Sequence, residues 1–283
     1  MNETIISWTD VTWNPTHGCS KVSDGCRHCY AETISLRYGF TSKPWTNPNA
    51  SENVRLMPHK LREPYKLKEP SRVFVNSMSD LFHEQIPDDY IRKVFDVMAD
   101  LPQHVFQILT KRPERAAEWD YKWSFNMWLG TSIEDARVAH RIDTLRNSKA
   151  LIRFISFEPL INTMGELDLS GIHWAIVGGE SGTGYRMMQH HWAREIKNAC
   201  LKQGTAFFFK QSSAYRTELG TALSEENGTF WRWEQMPLDH KPPVQILDPK
   251  EMNAPASWQK AYKPKSFVVR TNPLVPKALA LSA

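Results

Sequence analysis

Three cysteines near the start of the chain form the residue group with the clearest chemistry. Cys26 and Cys29 are separated by two residues, and Cys19 precedes Cys26 with six residues between them. The Cys-x2-Cys spacing lets both thiolates reach one metal centre, and the turn-forming residues 23–25 (SDG) bring Cys19 back toward it. The loop therefore predicts a metal centre with three thiolate ligands and one open coordination position.

The residues alone leave three interpretations of this loop open. A four-iron cluster would keep one iron free to bind an exogenous ligand, whereas a zinc ion would take a fourth ligand from His17 or His28. The third interpretation, reduced cysteines in a core, is disfavoured because glycine, aspartate and lysine surround them. We favour the cluster, since the loop follows the first strand of a barrel-like repeat, where active sites lie.

Composition and charge narrow the class of protein. The chain has 283 residues, 41% of them hydrophobic, with 11 Trp and a formal net charge of +4. This mild basicity permits an anionic partner such as nucleic acid. The sequence shows no signal-peptide pattern and no apolar run that would span a bilayer, so we expect a cytoplasmic protein without a membrane partner. Thiols stay reduced there, which favours metal ligation over a disulfide framework.

Short strand-like runs alternate with helix-like stretches, and this alternation predicts βαβ units with a parallel sheet. The predicted strands are Val11–Trp13, 72–77, 105–109, 126–130, 151–157, 172–177 and 206–210. The predicted helices are 30–38, 87–100, 112–119, 134–147 and 190–203. The fold class is therefore α/β, and the number of strands suits a partial or complete (β/α) barrel better than a flat sheet.

Two regions interrupt this alternation. Residues 39–70 are rich in Pro, Asn and Lys and predict an inserted loop with short helices. From residue 212 the pattern lapses, which predicts a barrel domain over 1–211 and an irregular extension over 212–283, with an arm from Pro255 onward. Trp231 and Trp233 alternate in a strand-like segment, and we expect a ribbon there that packs on the barrel.

Polar residues follow almost every predicted strand. The carboxyl ends of barrel strands carry the chemistry, and helix capping alone would not place charged residues at six of them. Lys111, Arg112 and Lys210 suit a carboxylate or phosphate, and Glu158 joins them as a candidate substrate residue. His190, by contrast, opens a predicted helix, and we expect a helix terminus there and not a metal site.

Six residue runs resemble a known superfamily. They are 8–32 (WTDVTWNPTHGCSKVSDGCRHCYAE), 74–84 (FVNSMSDLFHE), 108–113 (ILTKRP), 130–134 (GTSIE), 156–160 (SFEPL) and 177–182 (VGGESG). Together they resemble the radical S-adenosylmethionine superfamily, and more closely the phage-associated three-Cys-motif family. The resemblance implies that Cys19, Cys26 and Cys29 bind a [4Fe-4S] cluster whose free iron chelates S-adenosylmethionine. Reductive cleavage then gives a 5′-deoxyadenosyl radical that abstracts hydrogen from a substrate.

The resemblance also suggests which residues contact S-adenosylmethionine. His28 takes the position before the last cysteine, where the superfamily has an aromatic residue against adenine. In the superfamily a Gly-Gly-Glu run follows the second strand and binds the methionyl amine. Here Ser77, Ser79 and Asp80 follow the second strand, and the Gly-Gly-Glu run comes after about the sixth. The remaining cofactor candidates are Thr131, Ser132 and Glu134, which suit a ribose, and Gly178, Gly179 and Glu180.

The leading hypothesis is therefore a radical S-adenosylmethionine enzyme that modifies or repairs nucleic acid. Such an enzyme needs an electron donor, and a partner protein that completes the site is a further expectation. The alternative is a non-catalytic nucleic-acid-binding protein that holds zinc or a cluster. A third hypothesis is a barrel enzyme without redox chemistry, in which Glu158 or Glu180 acts as the acid or base.

Overall fold

The computed structural model describes residues 1–253, and its main element is one sheet of eight strands. The strands are β1 (Asn2–Glu3), β2 (Val11–Trp13), β3 (Thr16–His17), β4 (Arg55–Leu56), β5 (Arg72–Val75), β6 (Val105–Thr110), β7 (Met127–Ser132), β8 (Ile152–Phe157), β9 (Trp174–Gly178), β10 (Ala206–Gln211), β11 (Leu223–Ser224), β12 (Phe230–Arg232) and β13 (Val244–Ile246). The helices are α1 (Tyr30–Arg37), α2 (Ala50–Asn53), α3 (Asp88–Asp100), α4 (Pro113–Ala117), α5 (Arg141–Arg146) and α6 (His190–Gln203).

Seven strands of the large sheet are parallel and curl into a half-barrel. Their order is β2-β5-β6-β7-β8-β9-β10, and β1 adds to the β2 edge in the antiparallel direction. Each of the seven predicted strands is present, with bounds that shift by at most two residues at either end. The predicted α/β class and partial barrel are therefore confirmed.

Alternate residues of each strand pack on opposite faces of the curled sheet. On one face Val75, Ile108 and Leu129 join the core that the helices cover. On the other face a separate cluster of aromatic and aliphatic side chains fills the amino end of the half-barrel; its buried aromatic members are Trp8, Phe74, Trp128, Phe154, Trp174 and Phe208. The ends of the strands that carry polar residues therefore lie above a closed apolar floor.

Most predicted helices are confirmed, but the one predicted over 134–147 is present only in part. Only α5 is an α-helix there, preceded by a 3-10 turn at Ala136–Val138. The side chain of Asp135 caps this turn by accepting from the Arg137 N–H, and Arg141 turns back to donate to the Ser132 carbonyl at 2.9 Å. These polar contacts outweigh the helical spacing of the apolar residues. Among residues 1–253, no helix has the length and apolar character that crossing a membrane requires.

The segment that follows α1 contains short elements, as the sequence predicts. It has α2, and 3-10 turns at Asn47–Asn49, Pro58–Lys60 and Pro64–Lys66. Its strand β4 pairs with β3, directly before the first cysteine. The indole N–H of Trp13 donates to the Lys60 carbonyl at 2.8 Å, which fixes the segment to the first parallel strand.

Residues beyond β10 form a small three-stranded antiparallel sheet, β11-β12-β13. Trp233 is fully buried, its ring 5.8 Å from that of Phe207, so the predicted packing of a ribbon on the barrel is confirmed. The division of the chain into domains at residue 211 stays a prediction. The predicted arm from Pro255 lies outside the described residues.

Acid should destabilise the junction between α6 and β11 through His190. Its Nδ1 accepts from the Ser224 N–H at 2.9 Å, and its Nε2 lies 2.7 Å from Ser212 Oγ. Burial, followed by the charge of Arg194, lowers the pKa of His190 to about 4. The unfolded state, with a histidine pKa of about 6.5, takes up the proton first. This contribution to stability is therefore complete above pH 6.5 and is lost as the pH falls toward 4.

The expected loss reaches about 3 kcal/mol in the free energy of unfolding, at about 1.4 kcal/mol per pKa unit. Denaturant melts of the wild type and of His190→Gln between pH 7 and pH 4 measure it. Glutamine keeps a donor and an acceptor but does not titrate, so the variant should show a shallower pH dependence. An identical dependence in both proteins would assign the acid sensitivity to other groups.

Candidate functional site

The cysteine loop lies at the carboxyl end of the sheet, between β3 and α1. It forms a 3-10 turn at Asp24–Cys26, and Cys29 caps the amino terminus of α1. Cys19, Cys26 and Cys29 all line one cavity of about 150 Å³. Polar residues at or just after the carboxyl ends of β5, β6 and β7 complete much of its wall: Asn76, Ser77, Ser79, Asp80, Lys111 and Ser132. The structure thus brings the three predicted ligands to the end of the sheet where barrel chemistry takes place.

The three thiols line one cavity, but with the nearby histidines they form no ready-made site for a single metal ion. Among residues 1–253, no group of three or more His, Cys, Asp or Glu side chains is placed to hold a metal ion. A zinc site needs four ligand atoms about 2.0–2.3 Å from one point, yet His17 packs on Phe40 and His28 bonds to Glu180. A cluster distributes its ligand sulfurs over separate irons, which suits three thiols that share a cavity.

Burial favours the protonated form of two of these thiols, those of Cys19 and Cys29. Burial, followed by the charge of Asp80, raises the pKa of Cys19 to about 12, and burial also raises the pKa of Cys29. Arg112 acts in the opposite direction, since its Nη1 lies 3.5 Å from the Cys19 sulfur. Because only the thiolate binds metal, loading such a site releases protons.

Glu134, which follows β7, holds the cysteine loop on the sheet. Its carboxylate accepts from the Gly25 N–H at 3.0 Å and pairs with Arg141 at 3.3 Å. The side chains of Glu134 and Arg141 are 1% and 6% exposed, so this ion pair has almost no contact with water. Its observed partners are Gly25 and Arg141, and its contact with S-adenosylmethionine stays a prediction.

Glu180, which follows β9, makes a second anchor. It lies 3.0 Å from Nδ1 of His28 and accepts from the Arg186 N–H at 2.8 Å. Burial would raise its pKa, but the Arg186 bonds prevail and hold the pKa of Glu180 below its usual range. Glu180, His28 and Glu134 contact the loop or belong to it, and none of the three lines the cavity. Their predicted role as cofactor ligands stays a prediction.

Asn76, directly after β5, presents an unsatisfied acceptor at the cavity. It is buried, and its φ of 69° lies in the left-handed region. Its Nδ2 donates to Thr16 Oγ1 at 2.7 Å, while its Oδ1 has no hydrogen-bond partner among the described residues. An unpaired buried amide oxygen is costly. Asn76 lines the cavity, so this buried oxygen lies beside the space that a ligand would occupy.

The three residues predicted at this strand end also line the cavity. Ser77 Oγ donates to Asn14 Oδ1 at 3.2 Å, and Ser79 Oγ donates to the Thr16 carbonyl at 3.0 Å. Asp80 accepts from two groups at the end of β6 and from a backbone N–H of its own turn. Both serine oxygens keep acceptor capacity, so they remain able to contact a ligand.

The candidates on β7 lie on opposite faces of the strand. Ser132 lines the cavity, whereas Thr131 is fully buried and donates to the Thr110 carbonyl at 3.0 Å. This difference follows from the two-residue period of a strand. Thr131 shares the helix-covered face with Leu129, so the strand brings only Ser132 to the cavity.

Glu158 and Lys210, two predicted substrate residues, lie together beyond β8 and near the end of β10. Lys210 Nζ is 3.2 Å from Glu158 Oε1, and Ser156 Oγ donates to Glu158 Oε2 at 3.0 Å. A Cβ on Gly178 would lie 2.2 Å from Glu158 Oε1, and one on Gly179 would meet backbone only 2.3 Å away. The two glycines therefore permit close protein packing, and neither lines the cysteine cavity.

Lys111 and Arg112 follow β6 and both line the cavity, but their partners differ. Lys111 lines the cavity and forms no ion pair within residues 1–253. The guanidinium of Arg112 is instead buried against protein groups, 3.4 Å from Asp80, 2.9 Å from Glu84 and beside Cys19. Both of these predicted substrate residues therefore line the cavity, and Lys111 is the one whose charge has no carboxylate partner among the described residues.

Tyr30 is a cavity residue that the sequence analysis treated only as the start of a helix. Its hydroxyl donates to the Ser77 carbonyl at 2.7 Å. The residue is 48% exposed, and its hydroxyl lies within electrostatic range of both Cys29 and Glu158, so the phenol lies between the cysteines and the Glu158–Lys210 pair. The available sequence signal was its position directly after Cys29, at the first residue of a helix that starts in the loop.

Gly18 should tolerate no side chain, because it packs against the backbone of Asn53, which belongs to the segment of residues 39–70. Its φ is +82°, and a Cβ would lie 2.0 Å from the Asn53 carbonyl oxygen. Gly39 is a matched control, with a φ of +68° and nothing within 4 Å of its Cβ position. Gly39→Ala should cost about 1–2 kcal/mol for the left-handed backbone alone, and Gly18→Ala clearly more. Denaturant melts compare the two, and equal losses would show that the backbone contact has no effect.

The fold and the site define an α/β protein that has a curled half-barrel and a cysteine-lined cavity at the carboxyl end of its sheet. The chain belongs to the family described as "Protein of unknown function (DUF5131)", whose model matches residues 3–257. No curated protein matches it. A solved structure, "Spore photoproduct lyase complexed with dinucleoside spore photoproduct", is 13% identical with a TM-score of 0.38, over 87% of this chain and 68% of that chain. This likeness is too distant to transfer a function.

Proposed function

We propose that this protein is a radical S-adenosylmethionine enzyme whose loop cysteines bind a [4Fe-4S] cluster. The observation that carries the proposal is the single cavity that Cys19, Cys26 and Cys29 share. The chain's fourth cysteine, Cys200, is fully buried in α6, so one iron would keep an open position. When bound, the cluster would pass one electron to the sulfonium of S-adenosylmethionine, which yields methionine and a 5′-deoxyadenosyl radical.

The polar wall of the cavity supplies groups that would orient the amino-acid part of S-adenosylmethionine. Asn76 Oδ1 accepts from the ammonium group, which gives this buried oxygen the partner it lacks. Lys111 Nζ pairs with the carboxylate. Ser77, Ser79 and the Ser132 hydroxyl complete this wall, while the apolar floor beneath it limits the entry of water.

The substrate side of the site lies toward Glu158 and Lys210. Their ion pair is only about one-seventh exposed, and Tyr30 connects it to the cysteine cavity. We propose nucleic acid as the substrate, because the formal net charge of +4 favours an anionic partner. The enzyme also needs an electron donor, and we propose that a separate protein of the cytoplasm supplies it.

Anaerobic incubation of reconstituted protein with S-adenosylmethionine and dithionite tests this function. We expect a brown protein with about four irons per chain and formation of 5′-deoxyadenosine. A protein that binds only zinc at this loop would support the non-catalytic alternative. Full activity toward a substrate after all three cysteines are changed to alanine would support acid–base chemistry at Glu158 or Glu180.

A further inference from the structure

Two aromatic rings that follow α1 are exposed to solvent. Tyr38 is 64% and Phe40 is 50% exposed, and their ring centres lie 6.2 Å apart. Phe40 contacts the ring of His17 at 5.2 Å, while the guanidinium of Arg37 lies 5.7 Å from the Tyr38 ring centre. The exposure of two neighbouring aromatic rings to water is unfavourable, and their flat faces are suited to stacking on a flat ligand.

Cations surround these rings. Arg55 on β4 is the direct partner of His17 on β3, so their side chains lie on the same face of the two-stranded sheet. Lys60 and Arg55 both lie within electrostatic range of the His17 ring. Within the described part of the chain, Arg37, Arg55 and Lys60 take part in no ion pair, so their charge is available to a partner.

The net positive charge of the whole chain comes from this region. Residues 37–68 contain seven Lys or Arg and two Glu, a formal charge of +5, against +4 for all 283 residues. The rest of the chain is therefore slightly negative. Excess positive charge that is confined to one segment beside exposed aromatic rings is the electrostatic pattern of a nucleic-acid-binding surface.

This surface continues into the cysteine cavity. The helix that ends beside Tyr38 begins directly after Cys29, and its eight residues span about 12 Å. The segment after Phe40 returns to the cavity wall at Trp45, and His17 lies two residues before Cys19. If a nucleic-acid strand stacked its bases on these two rings, its next nucleotides would therefore lie at the mouth of the cavity.

We propose that Arg37, Tyr38, Phe40, Arg55 and Lys60 form an aromatic-basic surface that binds single-stranded nucleic acid beside the cysteine cavity. Unpaired bases stack on the two rings, because every base has an aromatic face, and the cations contact the phosphates. Duplex bases are already stacked and paired, so a duplex gains only the phosphate contacts. The proposal rests on the proposed function for its role in substrate delivery, but the binding itself is independent of cofactor chemistry.

Fluorescence anisotropy with the full-length chain and labelled single strands of about 12 nucleotides measures this binding. The Tyr38→Ala/Phe40→Ala variant should bind about ten-fold or more weakly, and Phe40→Tyr should retain binding. Phe125→Ala is the matched control, since Phe125 is 74% exposed but precedes β7, at the opposite end of the sheet. Arg55→Gln and Lys60→Gln should each reduce the slope of log affinity against log salt by about 0.7.

Three results would overturn the proposal. They are the absence of binding to any single strand at low salt, equal affinity for a duplex of the same length, and an equal loss in Phe125→Ala. Self-association of the chain through the two rings, without oligonucleotide binding, would assign the surface to a protein partner instead. Formation of 5′-deoxyadenosine without nucleic acid should be the same in wild type and variants. If the wild type formed no 5′-deoxyadenosine, the proposed function would be contradicted, but the binding result would still hold.

Discussion

Alanine at Cys19, Cys26 or Cys29 should prevent cluster assembly and abolish cleavage of S-adenosylmethionine. Each thiolate would hold a separate iron, so one missing ligand exposes a second iron to solvent and loss. We expect iron to fall from about four to below about one per chain, and 5′-deoxyadenosine formation to fall at least about 100-fold. Iron analysis and chromatography of the quenched reaction measure the two quantities.

Cys200→Ala provides the matched control. Cys200 is fully buried in α6, and burial raises its pKa, so it is a core thiol that takes no part in the cavity. This variant should keep its iron and its cleavage rate, with a stability loss of about 1 kcal/mol from the small void. A full complement of iron in any of the three loop variants would remove that cysteine from the ligand set.

Arg112→Met should lower the free energy of unfolding by about 3–5 kcal/mol. The side chains of Arg112 and Asp80 are each 7% exposed and lie 3.4 Å apart. Methionine fills much of the volume, but it leaves the Asp80 carboxylate buried without its countercharge. It also removes the cation beside the Cys19 sulfur, so the variant should assemble its cluster more slowly. Denaturant melts and the time course of reconstitution give the two readouts.

Two further variants separate the buried pair from the rest of the network. Glu84 also bonds to Arg112, but its side chain is 66% exposed, so Glu84→Gln should cost less than about 1 kcal/mol. Asp80→Asn combined with Arg112→Met removes both charges and should recover part of the loss seen with Arg112→Met alone. If the two single losses simply added in the double variant, the charge pairing would not be the cause.

Particular residues show which features of the structure local sequence patterns can predict and which they cannot. The seven strands could be predicted because their apolar runs are short and bounded by turns, and the cysteine loop because its spacing is local. The helix predicted over 134–147 is shorter than expected because Arg141 and Asp135 make polar contacts that apolar spacing does not encode. Thr131 could have been separated from Ser132, since adjacent strand residues face opposite sides.

The sequence by itself determined the α/β class, the positions of the seven parallel strands along the chain, and the place of the three cysteines after the first of these strands. Each of these features depends on residues that are close together in the sequence. Only the tertiary structure decided what surrounds the cysteines. Gly25 meets Glu134 across 109 positions, and His28 meets Glu180 across 152. The unpaired oxygen of Asn76 and the position of Arg55 opposite His17 likewise depend on contacts between segments that are distant in sequence. Burial and charge pairing act through space, so residues distant in sequence decide which polar groups reach the cavity.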